Sequence, residues 1–201
     1  LLAVDAFIWF SLKPKLNFNS VSGNTGQAIM TALLAFAVFI ALSVVTVKAV
    51  QAAAQLNLAD LLARLGNATF GATAKPLLSQ NPIAIFLIGA VIIPKRETKT
   101  LIARLMEFLS MVFKVPLELK NPSTWVLWAV VSAVGAIFHF QVKGAFRAVG
   151  GGIDNVALAL TFLFWMVSCW LIVKTRESES AVYLHMINNG CTLLRMFQKA
   201  T

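Results

Sequence analysis

QAIMTALLAFAVFIALSVVTV, residues Gln27 to Val47, runs for 21 positions without a Lys, Arg, Asp or Glu. A bilayer core is about 30 Å thick and an α-helix rises about 1.5 Å per residue, so roughly 20 apolar residues cross it. NVALALTFLFWMVSCWLIV, Asn155 to Val173, is 19 residues of the same kind. So is STWVLWAVVSAVGAIFHFQV, Ser123 to Val142. These stretches predict an all-α, multi-pass transmembrane protein.

The composition agrees. Apolar residues fill 59% of 201 positions and charged ones 12%, where soluble domains have about 45–50% and about 25%. So few charges would leave a soluble bundle with greasy patches uncovered. The net charge of +9 lies mostly between and after the apolar stretches, where it sets topology and draws anionic headgroups. No basic stripe interleaved with aromatics accompanies it, so nucleic acid is not an expected partner. Cys169 and Cys191 show no spacing of a disulfide framework or zinc site.

Three organisational units follow: an N-terminal segment and polar loop over 1–26, a transmembrane helical domain over 27–175, and a polar, basic tail over 176–201. The chain begins at Leu1, which fits removal of an import sequence. The first spanning helix, Gln27 to Lys48, carries Ala28, Ala32, Ala37 and Ala41 in small-xxx-small pairs that let a second helix approach. An amphipathic, interfacial helix is expected near 51–65, with Leu58, Leu61, Leu62 and Leu65 on one face. Asn67-Ala68-Thr69 has the form of a glycosylation acceptor, a triplet short enough to arise by chance.

The second apolar run, Ile83 to Ile93, is short. Asn81-Pro82 before it favours a helix start, with Asn as cap and Pro in the first turn. The expectation is a fourth crossing, with a re-entrant segment as the alternative, which leaves three crossings. Lys95 to Lys120 then reads as an extramembrane loop that holds a second interfacial helix near 99–114. Leu101, Ile102, Leu105, Met106, Leu109, Val112 and Phe113 share one face of that helix, opposite Arg104, Glu107, Ser110 and Lys114. Asn121-Pro122 starts the next spanning helix, Pro122 to Lys143. Gly150-Gly151-Gly152 breaks the chain before the last, Asn155 to Lys174. In the tail, Asn188-Asn189-Gly190 reads as a turn. Most Lys and Arg then fall on the side of the Lys95–Lys120 loop and the C-terminus, the positive-inside face.

Ionisable groups inside a membrane are costly and mark function, and the apolar stretches hold almost none. His139 is the one imidazole in a spanning stretch and the candidate cofactor-binding residue, able to ligate a haem or other pigment through a ring nitrogen. The bland reading, a histidine bonded to headgroup, water or a neighbouring helix, outweighs it. His185 lies in the tail and reaches His139 only if the tail folds back. No catalytic constellation and no metal-ligating set is present, and there is no P-loop, G-x-S-x-G, H-E-x-x-H or dinucleotide fingerprint. The expected partners are the lipid bilayer and other membrane subunits, with lipid as the expected ligand. The expected role is a non-catalytic structural or accessory subunit of an integral membrane complex, in an organellar inner or thylakoid membrane or a bacterial inner membrane. A small oligomeric channel or transporter and a membrane-shaping protein are the alternatives.

Overall fold

A computed structural model describes residues 24–51, 81–144 and 155–198. The expected helix near 51–65, the Asn67 triplet, the triple glycine and the first 23 residues lie outside the described residues. Every regular element among the described residues is helical.

Helix α1 (Thr25–Gln51) starts where Asn24 Oδ1 accepts from the Gln27 N–H at 3.1 Å. Next comes one continuous rod from Pro82 to Phe113, built of α2 (Pro82–Leu87), a π-helical turn (Ile88–Ile92), α3 (Ile93–Arg96), a second π-helical stretch (Glu97–Ala103) and α4 (Arg104–Phe113). Helices α5 (Pro122–Gly144), α6 (Asn155–Thr175) and α7 (Glu179–Gln198) complete the chain. The two Asn-Pro signals act as read: Asn81 Oδ1 accepts from Ala84 N–H at 3.1 Å, and Asn121 Oδ1 from Ser123 N–H at 3.0 Å.

The rod corrects the expected loop at Lys95 to Lys120 and the separate interfacial helix at 99–114. Lys95, Arg96, Glu97 and Lys99 are good helix formers, and a charged run does not break a helix that is packed on one side. Pro94 does not break it either. A proline ring collides with the carbonyl four residues back and offers no N–H, and the helix relieves the collision by widening to a π turn. Ile93 N–H bonds to the Ile88 carbonyl, five residues back. The next bond in that series would run from residue 94 to Gly89, and Pro94 has no hydrogen to give. Asn189 Nδ2 of α7 donates to the Gly89 carbonyl instead, at 3.0 Å.

The π turns also rotate the register of α4. Glu107 and Ser110 turn inward, each 8% exposed, while Val112 and Phe113 are 54% and 65% exposed. The face read from the sequence is kept at Ile102 and Met106, which are buried, and lost towards the end of α4, where Val112 and Phe113 point out. Lys114, in the left-handed region at φ 53°, ends the rod. Val115 N–H bonds to the Ser110 carbonyl at 3.0 Å in the closing turn.

Helices α5 and α6 run antiparallel, and so do α1 and α6. Ser132 of α5 meets Cys169 of α6 (3.8 Å), and Gly135 of α5 lies against Trp165 of α6 and Ile102 of the rod. Phe39 of α1 stacks edge-on with Phe164 of α6, centroids 5.4 Å apart. After Arg176, at φ 60°, the chain reverses and α7 runs back between α1, α6 and the rod. This corrects the reading of 176–201 as a polar tail. Asn188-Asn189-Gly190 is not a turn but the middle of a helix, where Gly190 faces Ala90 and Phe86. On α1 the inward face is Ala28, Ala32, Ala35, Phe39, Ser43 and Val47, whereas Ala37 and Ala41 point outward.

Two described helices are long and apolar enough to cross a membrane: α1 over Thr25–Lys48, 28% of whose apolar window is buried, and α6 over Leu158–Thr175, at 56%. Helix α6 is therefore the interior rod and α1 the outer one. Hydroxyls within these helices bond to carbonyls a turn back, Ser43 to Phe39 (2.7 Å) and Ser168 to Phe164 (3.0 Å), so they need no water.

Asn189→Ala, which strands the Gly89 carbonyl, is expected to destabilise the chain by about 1–3 kcal/mol in detergent unfolding monitored by circular dichroism. Adding Pro94→Ala restores an N–H and is expected to recover part of that loss. A Cβ at Gly135 would lie 3.0 Å from Ile102 Cδ1 and Trp165 Cδ1. Gly135→Ala is therefore expected to lower stability by about 1–3 kcal/mol in the same assay.

Candidate functional site

The polar interior of the bundle is assembled by α7 and the second π stretch. Helix α7 has inward positions at Ala181, Leu184, His185, Asn188, Asn189 and Leu193, spaced three and four apart. Apolar and polar groups alternate along that face, which is why hydropathy alone reads the segment as a tail.

His185 is 2% exposed and forms the centre. Its Nδ1 and Thr98 Oγ1 share a hydrogen bond at 3.2 Å, and its Nε2 lies 3.6 Å from a Glu97 carboxylate oxygen. The rings of Phe164 and Trp165 stand edge-on to the imidazole, both with centroids at 5.1 Å. The wide π stretch offers Glu97 and Thr98 side by side to α7. At the next residue of the rod, Lys99 Nζ pairs with Glu179 at the start of α7.

Three polar atoms in this interior are buried and lack a hydrogen-bond partner among the described residues: Trp128 Nε1, Trp165 Nε1 and Asn189 Oδ1. Asn189 uses its amide nitrogen on Gly89, and its oxygen remains an acceptor inside the bundle. A buried polar atom of this kind suits an ordered water.

The cluster holds one carboxylate and one imidazole against a threonine hydroxyl. Among the described residues no group of three or more His, Cys, Asp or Glu side chains is placed to hold a metal ion. The near-empty interior read from the sequence is thus corrected by Glu97 and His185, which the fold brings inside. The signal that would have found them is the spacing of 181, 184/185, 188/189 and 192/193, a helical stripe running through the supposed turn.

His139, the sequence candidate for a tetrapyrrole, lies on α5 one turn beyond Gly135, and its side chain is outside the described residues. His185 has its contacts with Thr98, Glu97, Phe164 and Trp165. A second feature is an apolar groove of about 480 Å³ between the ends of α1, α5 and α6, lined by Thr46, Ala133, Ala136, Leu158 and Phe162 among others.

His185→Ala removes the partner of Thr98 and Glu97 and leaves space between Phe164 and Trp165. It is expected to cost about 1–3 kcal/mol in detergent unfolding and to shift Trp165 fluorescence to longer wavelength as water enters. No family model, curated protein or solved structure matches this chain.

Proposed function

We propose that this chain is a non-catalytic structural subunit of an integral membrane complex, with α1, the Pro82–Phe113 rod, α5 and α6 as its four crossings and α7 returning inside the bundle. The observation that carries the reading is the apolar exterior. On α1, Met30, Leu34 and Val45 are 59–66% exposed, and on α5 Trp125 and Val126 are 59% and 65% exposed. Water would be driven from such faces, and hydrocarbon or apolar helices of other subunits would cover them. At the end where α5 begins and α6 finishes, Trp125 and Trp128 stack at 6.3 Å and Lys174 lies 4.5 Å over the Trp170 ring. Indole and lysine at that level suit the headgroup boundary.

The interior supports a structural role over a transport role. Phe39, Ile102, Met106, Leu160, Leu171 and Leu184 are closely packed and nearly inaccessible. His185 and Glu97 engage neighbours on adjoining rods, as groups that fix helix register do. The positive-inside argument loses its main support in this arrangement. Lys95, Arg96, Lys99 and Arg104 lie along the rod rather than in a loop. Lys114, Lys120, Lys174 and Arg176 lie at one end of the bundle, and Lys48 and Arg195 at the other.

Gentle detergent extraction, native separation and mass analysis test the reading. The expected result is co-migration with other membrane chains in a species well above 21.8 kDa. Migration as a lone chain in every mild detergent would overturn it. Haem or pigment absorbance in that species, lost on His139→Ala, would instead establish the ligand role for His139.

A further inference from the structure

The depth of one lysine follows from the contacts of the polar cluster. Thr98 bonds to His185, and the His185 ring rests on Trp165. Trp165 lies near the middle of Leu158–Thr175, the apolar span of α6. Thr98 is therefore close to mid-height. Lys95, three residues earlier on the rod, lies about 5 Å from that level along the axis.

Lys95 is exposed and makes no hydrogen bond or ion pair with any described residue. Arg96 beside it is also exposed. Below them on the outward side of the rod come Ile88, Val91, Ile92 and Ile93, 45%, 38%, 56% and 36% exposed. The rod thus shows the outside an apolar stripe that ends in a cation at mid-height.

Given the membrane reading above, on which this inference rests, that placement is costly. An ammonium near the bilayer centre is disfavoured because hydrocarbon cannot solvate it. From this depth the nearer headgroup boundary is about 10 Å away, farther than a four-carbon stem extends. Something must answer the charge. A second copy applied to the same face would set Lys95 against its own counterpart.

We infer that the Ile88–Arg96 face of the rod is the docking surface for a transmembrane helix of another subunit, which packs apolar side chains on Ile88, Val91 and Ile92 and brings a carboxylate to Lys95. The ion pair then closes away from lipid, and the apolar flanks keep it dry. Pairing of this kind also selects the partner, because a neutral helix on that face leaves the ammonium unanswered.

The test uses the gently extracted complex. Treatment with a water-soluble carbodiimide, which joins an amine to a carboxylate, is expected to link Lys95 to an Asp or Glu of another chain, inside an apolar stretch of about 20 residues. Lys95→Arg is expected to preserve the high-mass species. Lys95→Glu is expected to reduce it at least tenfold, and so is Lys95→Met, which suits lipid and cannot pair, with helical content checked by circular dichroism. Intact assembly in both Lys95→Glu and Lys95→Met overturns the inference and leaves the subunit reading standing, whereas a wild-type chain that migrates alone overturns both. A carbodiimide link from Lys95 to Asp5, Asp60 or Asp154 of the same chain overturns it as well. So does rapid labelling of Lys95→Cys, in a Cys191→Ser background, by a membrane-impermeant thiol reagent, since that places water rather than a helix on this face.

Discussion

Pro94 has no amide hydrogen, and the bundle is arranged around that missing donor. The helix widens beside it, the Gly89 carbonyl is left over, and the Asn189 amide crosses from α7 to take it. A bare carbonyl in an apolar interior costs about 1–3 kcal/mol, so this bond sets where α7 must lie along the rod. Once Asn189 is placed, His185 one turn before it and Gly190 next to it follow. His185 comes level with Thr98 and Glu97, and Gly190 allows Ala90 and Phe86 to approach.

The same widening explains how a rod with so many charges lies in the bundle. The second π stretch sets Glu97 and Thr98 next to His185, and it turns Glu107 and Ser110 inward on α4. Ser110 Oγ then donates to the Val115 carbonyl at 2.6 Å, where the chain leaves the rod. Polar groups in this chain tie rods together or close their ends, and apolar groups supply most of the outward surface of α1 and α5. That is the inverse of a soluble bundle's layout, in which charge lies outside and grease within.

The apolar rods were legible in the sequence because nothing in them competes with the helical reading. The starts at Asn81-Pro82 and Asn121-Pro122 were legible too, because that pair carries both a side-chain acceptor and a fixed φ. The rod's continuity was not. Lys95 to Lys99 looks like a loop when charge is weighed above helix propensity, and a π turn leaves no mark in residue spacing. Helix α7 was hidden for a related reason. Asn188-Asn189-Gly190 has the composition of a turn, and only the distant Gly89 carbonyl gives Asn189 a reason to be helical. On α1 half of the alanine pattern was read correctly: Ala28 and Ala32 pack inward, while Ala37 and Ala41, on the same spacing, face out. The burial of His185 was not legible because the residues that define its environment lie in two other rods, far away in sequence.

Helix α7 follows the other described rods in the chain, and it carries side chains that join them. Until Glu179 and the residues after it emerge, Thr98 lacks its imidazole, Lys99 its carboxylate and Gly89 its amide. On the membrane reading proposed above, α1 and α6 are apolar enough to enter a bilayer on their own, but the alignment of the rods waits for the more polar α7. On that reading assembly has an insertion stage and a later locking stage, and a chain halted between them leaves the Gly89 carbonyl and the Thr98 hydroxyl without their α7 partners.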